Sequence, residues 1–341
     1  MFSKIFKFPV IILFLTGIAF FLILGCTSDE SYDNSNFVSE VNTALPDNST
    51  TTIPFVVVGN NGAIFTSSDG ASWDNRSIDN ETLNLNAVTY GNGIFVAVAR
   101  KDRIYYSTDT ITWSKTGIGD DTYVINDVVY GNGIFVGVGI NGTIIRSTDG
   151  KTWIPISYLG AGSDILKGIA YGSDYFLTHH GSEDYFSVNG LVWGYVSHTD
   201  ISVKDIIYLN GNFIILPDAS NSIYSSVSGS SWTTSSTGAP GSLSTIAYGN
   251  GKYVALSESN DIWYTSDITS SFTQLSGASK IASGGKITYR NNIFISVGTS
   301  NVTNEAGGSN TYATIQTSSD GINWTIVYRP AVSGLTFYNV Y

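Results

Sequence analysis

His179 and His180 stand side by side, with Glu183 and Asp184 just beyond them. Imidazoles next to carboxylates can pass a proton near neutral pH or hold a metal ion. The spacing matches no metal-ligand signature, and a hydrogen-bonded buried histidine is the plainer reading. Arg100, Lys101 and Arg103 form the densest cationic stretch, Asp120 and Asp121 an acidic pair, and Glu305 lies in a Gly/Asn-rich segment. These residues, with His180 and Glu183, are the candidates for contact with a ligand. Asp69, Asp109, Asp149, Asp267 and Asp320 recur at similar places along the chain. A ring of metal ligands would need such carboxylates to converge. A recurring aspartate more simply bonds backbone N–H groups within its own turn. No nucleophile, base and orienting group fall into a catalytic pattern, so no catalytic residue, cofactor or metal is assigned.

Charge limits the partners. Without Lys4 and Lys7, 14 basic and 27 acidic residues remain, a formal charge of −13. A nucleic-acid-binding protein needs the opposite sign, so none is expected as a partner.

The first 26 residues are a different material. Lys4 and Lys7 precede an apolar run from Pro9 to Leu24, which ends at Ile23-Leu24-Gly25-Cys26. This resembles the lipobox of bacterial lipoproteins, which implies cleavage before Cys26 and lipid on its thiol and new amino group. The alternative is a retained transmembrane helix, but the run stops at a small residue and a cysteine, as a processed leader does. Cys26 is the only cysteine, so a mature chain has no disulfide and no free thiol nucleophile. Residues 26–53 are rich in Ser, Asp, Asn and Thr and cannot bury a core, which predicts a flexible tether. The expected organisation is a leader over 1–25, a lipidated tether over 26–53 and one folded domain over 54–341. The expected location is the bacterial cell envelope, lipid-anchored at the outer membrane or cell surface.

An internal repeat dictates the architecture. Trp73, Trp113, Trp153, Trp193 and Trp232 are spaced 40, 40, 40 and 39 residues apart. Phe272 follows after 40 and Trp324 after 52, the longer step being assigned to an insertion around Asn301–Asn310. Out of phase with them run Tyr90, Tyr130, Tyr171, Tyr208, Tyr248 and Tyr289, several opening Tyr-Gly-Asn-Gly. Residues 126–157 read as four short strands separated by Gly/Asn turns. Such a unit matches one blade of a β-propeller. Second strands such as Phe55-Val56-Val57-Val58 are apolar at successive positions, as when both sheet faces are covered. The count gives seven second strands but six first strands. Leu335–Tyr341 carries the missing pattern, so it is expected to complete blade one and close an all-β, seven-bladed ring of four-stranded antiparallel blades.

Ser67-Ser68-Asp69-Gly70-Ala71-Ser72-Trp73 recurs as Ser147–Trp153 and Ser318–Trp324. These segments resemble the Asp-box (BNR) repeats of sialidases, sortilin-type receptors and a photosystem II assembly factor. The box is one residue shorter here than its commonest form, and it decays at Thr110, Asn189, Ser228 and Phe272. The resemblance implies a propeller and leaves function open. A sialidase would need three arginines to clamp a carboxylate and an Arg-Ile-Pro motif. The motif is absent, and Arg76, Arg100, Arg103, Arg146, Arg290 and Arg329 are scattered. A glycosidase of another kind needs two facing carboxylates.

In such a blade the loops between strands one and two, and three and four, emerge on one side, and here they are repetitive. The others vary: Asp74–Leu85, Lys115–Ile125, Tyr158–Ile165, Arg100–Arg103, His180–Asp184 and Asn301–Asn310. Binding surfaces are built on such loops. The expected function is therefore a non-enzymatic binding or scaffolding module for a protein or glycan, attached to the membrane through its N-terminal lipid. The alternatives are a glycoside hydrolase and an assembly chaperone for an envelope complex.

Overall fold

A computed structural model describes residues 52–101, 103–156, 165–197, 201–275, 284–303, 309–330 and 334–341. The leader, Cys26 and nearly all of the tether lie outside the described residues, as does Glu305. The described chain forms seven four-stranded antiparallel sheets, each ordered from innermost to outermost strand. Blade two is typical, with strands Leu85–Gly91, Ile94–Ala99, Ile104–Ser107 and Ser114–Thr116. Every residue of its second strand is buried, because neighbouring blades cover both faces of the sheet.

The strands end where the sequence supplies positive φ. In blade three Asn132 (φ 47°) and Gly133 (φ 75°) turn the chain from Ile125–Gly131 into Ile134–Gly139. Gly131 has a second role. A Cβ there would lie 2.0 Å from the ring of Tyr171 on the next blade. The same contact joins Gly91 to Tyr130 and Gly249 to Tyr289, so the Tyr/Gly pairs knit adjacent innermost strands together.

The C-terminal strand Phe337–Val340 pairs with Phe55–Gly59 and completes blade one, as the strand count requires. Tyr341 and Val56 exchange backbone hydrogen bonds at 2.9 and 3.1 Å. Phe337 is fully buried. Arg290, from blade seven, lies between the rings of Phe55 and Tyr341 at 4.8 and 4.5 Å and donates to the carbonyls of Ile53 and Pro54.

One expectation is corrected in blade seven. The insertion around Asn301–Asn310 lengthens a hairpin at its described residues, 301–303 and 309–310, where a loop was expected. Strands Ile293–Thr303 and Ser309–Ser318 stay in register from Phe294 opposite Ser318 to Thr303 opposite Ser309. They run 11 and 10 residues, against 6 and 4 in blade two. Residues such as Thr299, Val302, Thr303 and Thr311 suit an extended backbone, so the ladder continues past the rim.

Candidate binding face and channel mouth

Antiparallel order gives the ring a turn face and a loop face. On the turn face the recurring aspartates are used locally, while Asn132 and Asn250 donate to carbonyls of the next blade. Asp149 Oδ1 accepts from the amides of Lys151 and Thr152 at 2.8 and 2.7 Å, and Ser147 Oγ takes the Gly150 amide at 2.9 Å. Asp69, Asp109 and Asp320 accept the matching pair of amides in their own turns. Asn189 does the same at 2.9 and 3.1 Å. Asp267 takes the Thr269 amide and the hydroxyls of Thr269 and Ser270. Burial opposes charge on Asp149 more than any single donor favours it, but its amide and hydroxyl donors together outweigh it and hold its pKa down at about 2. The donors likewise keep Asp69, Asp109, Asp267 and Asp320 below the ordinary value. The chain enters the ring on this face, where Asn291 Nδ2 meets the Ile53 carbonyl.

The loop face collects the residues singled out from sequence, but in separate groups. The Arg100 turn of blade two is tied to the incoming strand of blade three by a bridge between Arg100 and Val124, which places Asp120 and Asp121 nearby in the chain. Arg100, Lys101, Asp120 and Asp121 are exposed. Arg103 lies 3.5 Å from Glu81, which also accepts from the Tyr105 hydroxyl. In blade four His180 and Glu183 face each other across a hairpin, and Glu183 accepts from Tyr185. The six arginines sit in different settings. Arg76 pairs with Asp74, Arg146 donates to the Asn189 carbonyl, and Arg329 donates to Ser300.

His179 is fully buried. Its Nδ1 lies 2.6 Å from Asp184 Oδ1 and its Nε2 lies 3.3 Å from the Ile201 carbonyl. Asp184 Oδ2 accepts from Trp232 Nε1 at 2.7 Å. In blades one, three, four and seven the corresponding indole N–H goes to the carbonyl of the turn glycine (Gly70, Gly150, Gly190 or Gly321). Blade five has Ser228 in place of the aspartate, and its tryptophan finds Asp184 instead. Asp184 is thus shared between His179 and Trp232.

The central channel holds charges that sequence reading passed over. A cavity of about 280 Å³ is lined by the innermost strands. At the loop-face end of those strands one position recurs in each blade, three residues before the tyrosine where that tyrosine is present. Around the ring it is occupied by Asn339, Ala87, Asp127, Gly168, Asp205, Thr245 and Lys286. Lys286 of blade seven reaches across the channel to Asp205 of blade five. Asp205 also takes the Ile206 amide at 3.0 Å. Asp127 takes the amides of Val128 and Ile169 at 2.9 and 3.0 Å, and Thr245 takes that of Ile287 at 3.1 Å. Outside this ring Lys167 pairs with Asp218, and Lys204 with Glu258 at 2.6 Å, linking blades four, five and six. Among the described residues no three His, Cys, Asp or Glu side chains converge as metal ligands would. No helix among them is long and apolar enough to cross a membrane.

Burial pushes the Asp127 carboxyl up to about 6; Lys286 pulls against that shift and Asp205 adds to it. Burial disfavours charge on Lys286, but Asp205 and Asp127 outweigh it and raise its pKa.

The fold defines the class: an all-β, seven-bladed propeller. Structures sharing it include YCF48 bound to a D1 peptide, at 16% identity over 72% of this chain and 85% of that one, with a TM-score of 0.58. YCF48 from Cyanidioschyzon merolae matches at 16% identity over 79% and 92%, with a TM-score of 0.59. A catalytically inactive virginiamycin B lyase from Staphylococcus aureus with quinupristin matches at 12% over 81% and 95%, with a TM-score of 0.61. At these identities the likeness is one of fold. No known protein family matches the sequence, and neither does any curated protein.

Proposed function

We propose that this protein is an envelope-anchored lipoprotein whose propeller is a non-enzymatic binding or scaffolding module, with the loop face as the surface offered to a protein or glycan partner. The observation that carries this reading is the contrast between the two faces. Turn-face aspartates are taken up by their own turns, whereas the loop face bears unlike loops, an extended hairpin and a charged channel mouth. A protein of the same fold is known with a peptide bound, which supports a protein partner, and an assembly role is one form such binding takes.

One observation speaks for the glycoside hydrolase. Asp127 and Asp205 both reach the channel, one with a raised pKa and one paired with a lysine, a division seen in acid/base pairs. Against it, both oxygens of Asp127 accept backbone amides, and Asp205 is tied to Lys286 and Ile206. Both carboxylates thus hold strands in place.

The test combines a glycan array and an envelope pull-down with a multi-substrate glycosidase assay on the purified protein. Specific capture without turnover is expected, and turnover that Asp205→Asn abolishes would replace this reading with the hydrolase. For the anchor, metabolic labelling with a palmitate analogue should tag the wild type and not Cys26→Ala. An unlabelled wild type would refute lipidation.

A further inference from the structure

The loop face of blade one carries a second cavity, of about 200 Å³, that shares no residue with the channel. Three pieces of chain build it. The turn at Asn60 and Asn61 joins the second and third strands, Asn75 and Ser77 lie on and just beyond the fourth, and Leu335 leads into the closing strand. Phe65 and Leu335 make an apolar base, and Phe65 is itself held edge-on against Phe337 at 5.2 Å.

This loop differs in kind from its equivalents. The residue that follows the second strand is Asn60 here but Arg100, Asp218 and Glu258 in blades two, five and six. Where those blades place a charge, blade one places an amide, and that amide is fixed from both ends. Its Nδ2 donates to the Gly334 carbonyl at 2.6 Å, and its Oδ1 accepts the Thr336 amide at 2.8 Å. One wall of the cavity is thus tied to the strand that closes the ring. Ser77 is fixed as well, its Oγ accepting the Ile64 amide at 3.2 Å and its own amide bound to Asn75 Oδ1 at 2.9 Å. The Asn75 Nδ2, the Ser77 hydroxyl proton and the Asn61 side-chain amide remain for a bond outside the protein. Among the described residues no charged side chain lines the cavity.

The lining selects its ligand by exclusion. A charged group would give up water here with no counter-charge to meet it. A purely apolar group would leave the amides without partners. Amides that donate and accept, beside a hydroxyl, match a row of hydroxyls, each of which also does both. The volume lies above the roughly 150 Å³ of a cavity that holds one benzene ring and below the roughly 300 Å³ at which sites for drug-sized ligands begin. One six-membered ring fits. We propose that this cavity is a subsite for a single neutral hexopyranose ring of a glycan. Its hydroxyl edge meets Asn61, Asn75 and Ser77, and its C–H face lies on Phe65 and Leu335. The proposal rests on the loop face being the binding face, and it takes the glycan branch of that reading. An asparagine or glutamine side chain of a peptide would use one set of these bonds and leave the others unmet.

The experiment is saturation-transfer NMR on the purified full-length protein, with calorimetry for affinity. The probes are the methyl glycosides of glucose, galactose, mannose and N-acetylglucosamine. Three compounds are run beside them: cyclohexylmethanol, which keeps a ring and loses the row of hydroxyls, methyl glucuronide, which adds a charge, and N-acetyl-glutamine methylamide, which offers a peptide amide. At least one methyl glycoside should bind, and the three comparison compounds should bind at least about tenfold more weakly. Asn61 has φ 52°, which glycine also accepts, so Asn61→Gly keeps the turn and removes the amide. It should weaken binding about fivefold, as the loss of one hydrogen bond does. Asn75→Asp keeps the acceptor that holds Ser77 and turns the donor into a charge, and should cost at least as much affinity. Lys151→Ala on the turn face should bind as the wild type does. Melting curves of each variant separate loss of the site from loss of fold. No glycoside binding, a preference for the glutamine probe, or full affinity in folded Asn61→Gly and Asn75→Asp would overturn the proposal. Glycan or envelope-partner capture that both variants retain, with no methyl glycoside bound, would leave the loop-face reading standing and remove only the subsite. Methyl glycoside binding that both variants weaken, with no glycan or envelope partner captured, would do the reverse.

Discussion

The turn face and the loop face are two ends of the same strands, yet the first repeats one local hydrogen-bonded turn and the second carries the ion pairs between blades. At the turn face the box Asp or Asn satisfies amides two or three residues away, as Asp69, Asp149 and Asn189 do, while Asn132 and Asn250 of the Gly/Asn turns donate to carbonyls of the next blade. At the loop face local bonds such as Asp120 with the Thr122 amide are joined by ion pairs between blades: Lys204 reaches Glu258, Lys167 reaches Asp218, and Lys286 crosses the channel to Asp205. Local bonds can be copied from blade to blade, because each closes within its own repeat. Bonds between blades depend on who the neighbour is, so the residues that make them differ around the ring. One face therefore repeats around the ring and the other varies, which is why the proposed binding surface is placed on the latter.

The largest expected effect concerns closure, on which both faces depend. Deleting residues 334–341 removes the innermost strand of blade one, the burial of Phe337 and the seat of Arg290. The loss should be about 5 kcal/mol or more, on the scale of a whole domain's stability. Thermal unfolding should show a lost or broadened transition, and a transition like that of the wild type would contradict the closure account. Next comes Gly131→Ala on the turn-face rim. Its Cβ meets the ring of Tyr171, and the cost should be about 2–3 kcal/mol by chemical denaturation. A neutral result would mean that the Tyr/Gly contacts do not knit the blades.

A single turn matters less. Asp149→Ala leaves two amides to solvent and should cost about 1 kcal/mol. The same carboxylates predict acid sensitivity of definite sign. Their folded pKa values lie below the ordinary 3.8, with Asp149 at about 2, so their contribution is present above about pH 4 and fades as pH falls through the folded values. Asp149→Asn should flatten part of that fall, and an unchanged acid midpoint would remove Asp149 from the account. Asp127 has the opposite sign: with its pKa raised to about 6, its contribution is present at low pH and declines as pH rises through 6. The smallest stability effects belong to the loop face. Arg100→Ala and Lys101→Ala should change stability by no more than about 0.5 kcal/mol, because both residues are exposed.

This contrast also explains what the chain disclosed in advance. Repeating tryptophans, Tyr-Gly-Asn-Gly turns and one first strand too few lead to a seven-bladed ring closed by its C-terminus, because those features recur in near-identical form. The channel ring recurs in position but not in identity. Ala87, Asp127, Gly168, Asp205, Thr245 and Lys286 have little in common as residue types and sit some 40 residues apart. Reading the column three residues before each tyrosine would have exposed them, since charges on strands otherwise covered on both faces stand out. His179 was visible as an oddity. The Trp232 indole on the other oxygen of its partner Asp184 was not, because that contact arises where a degraded turn leaves an indole N–H unclaimed. The hairpin of blade seven was read as a loop because Gly, Ser and Asn dominate its tip, although Thr and Val flank it.

The most direct test of the division between faces is partner capture with variants that remove charged side chains from each face. Full-length protein carrying Arg100→Ala, Lys101→Ala and Lys204→Ala, and a second form carrying Lys151→Ala and Asp174→Ala, would be compared with the wild type in the same envelope pull-down. The account predicts that the loop-face form loses the wild-type partner while the turn-face form retains it. Retention by the loop-face form together with loss by the turn-face form would contradict it.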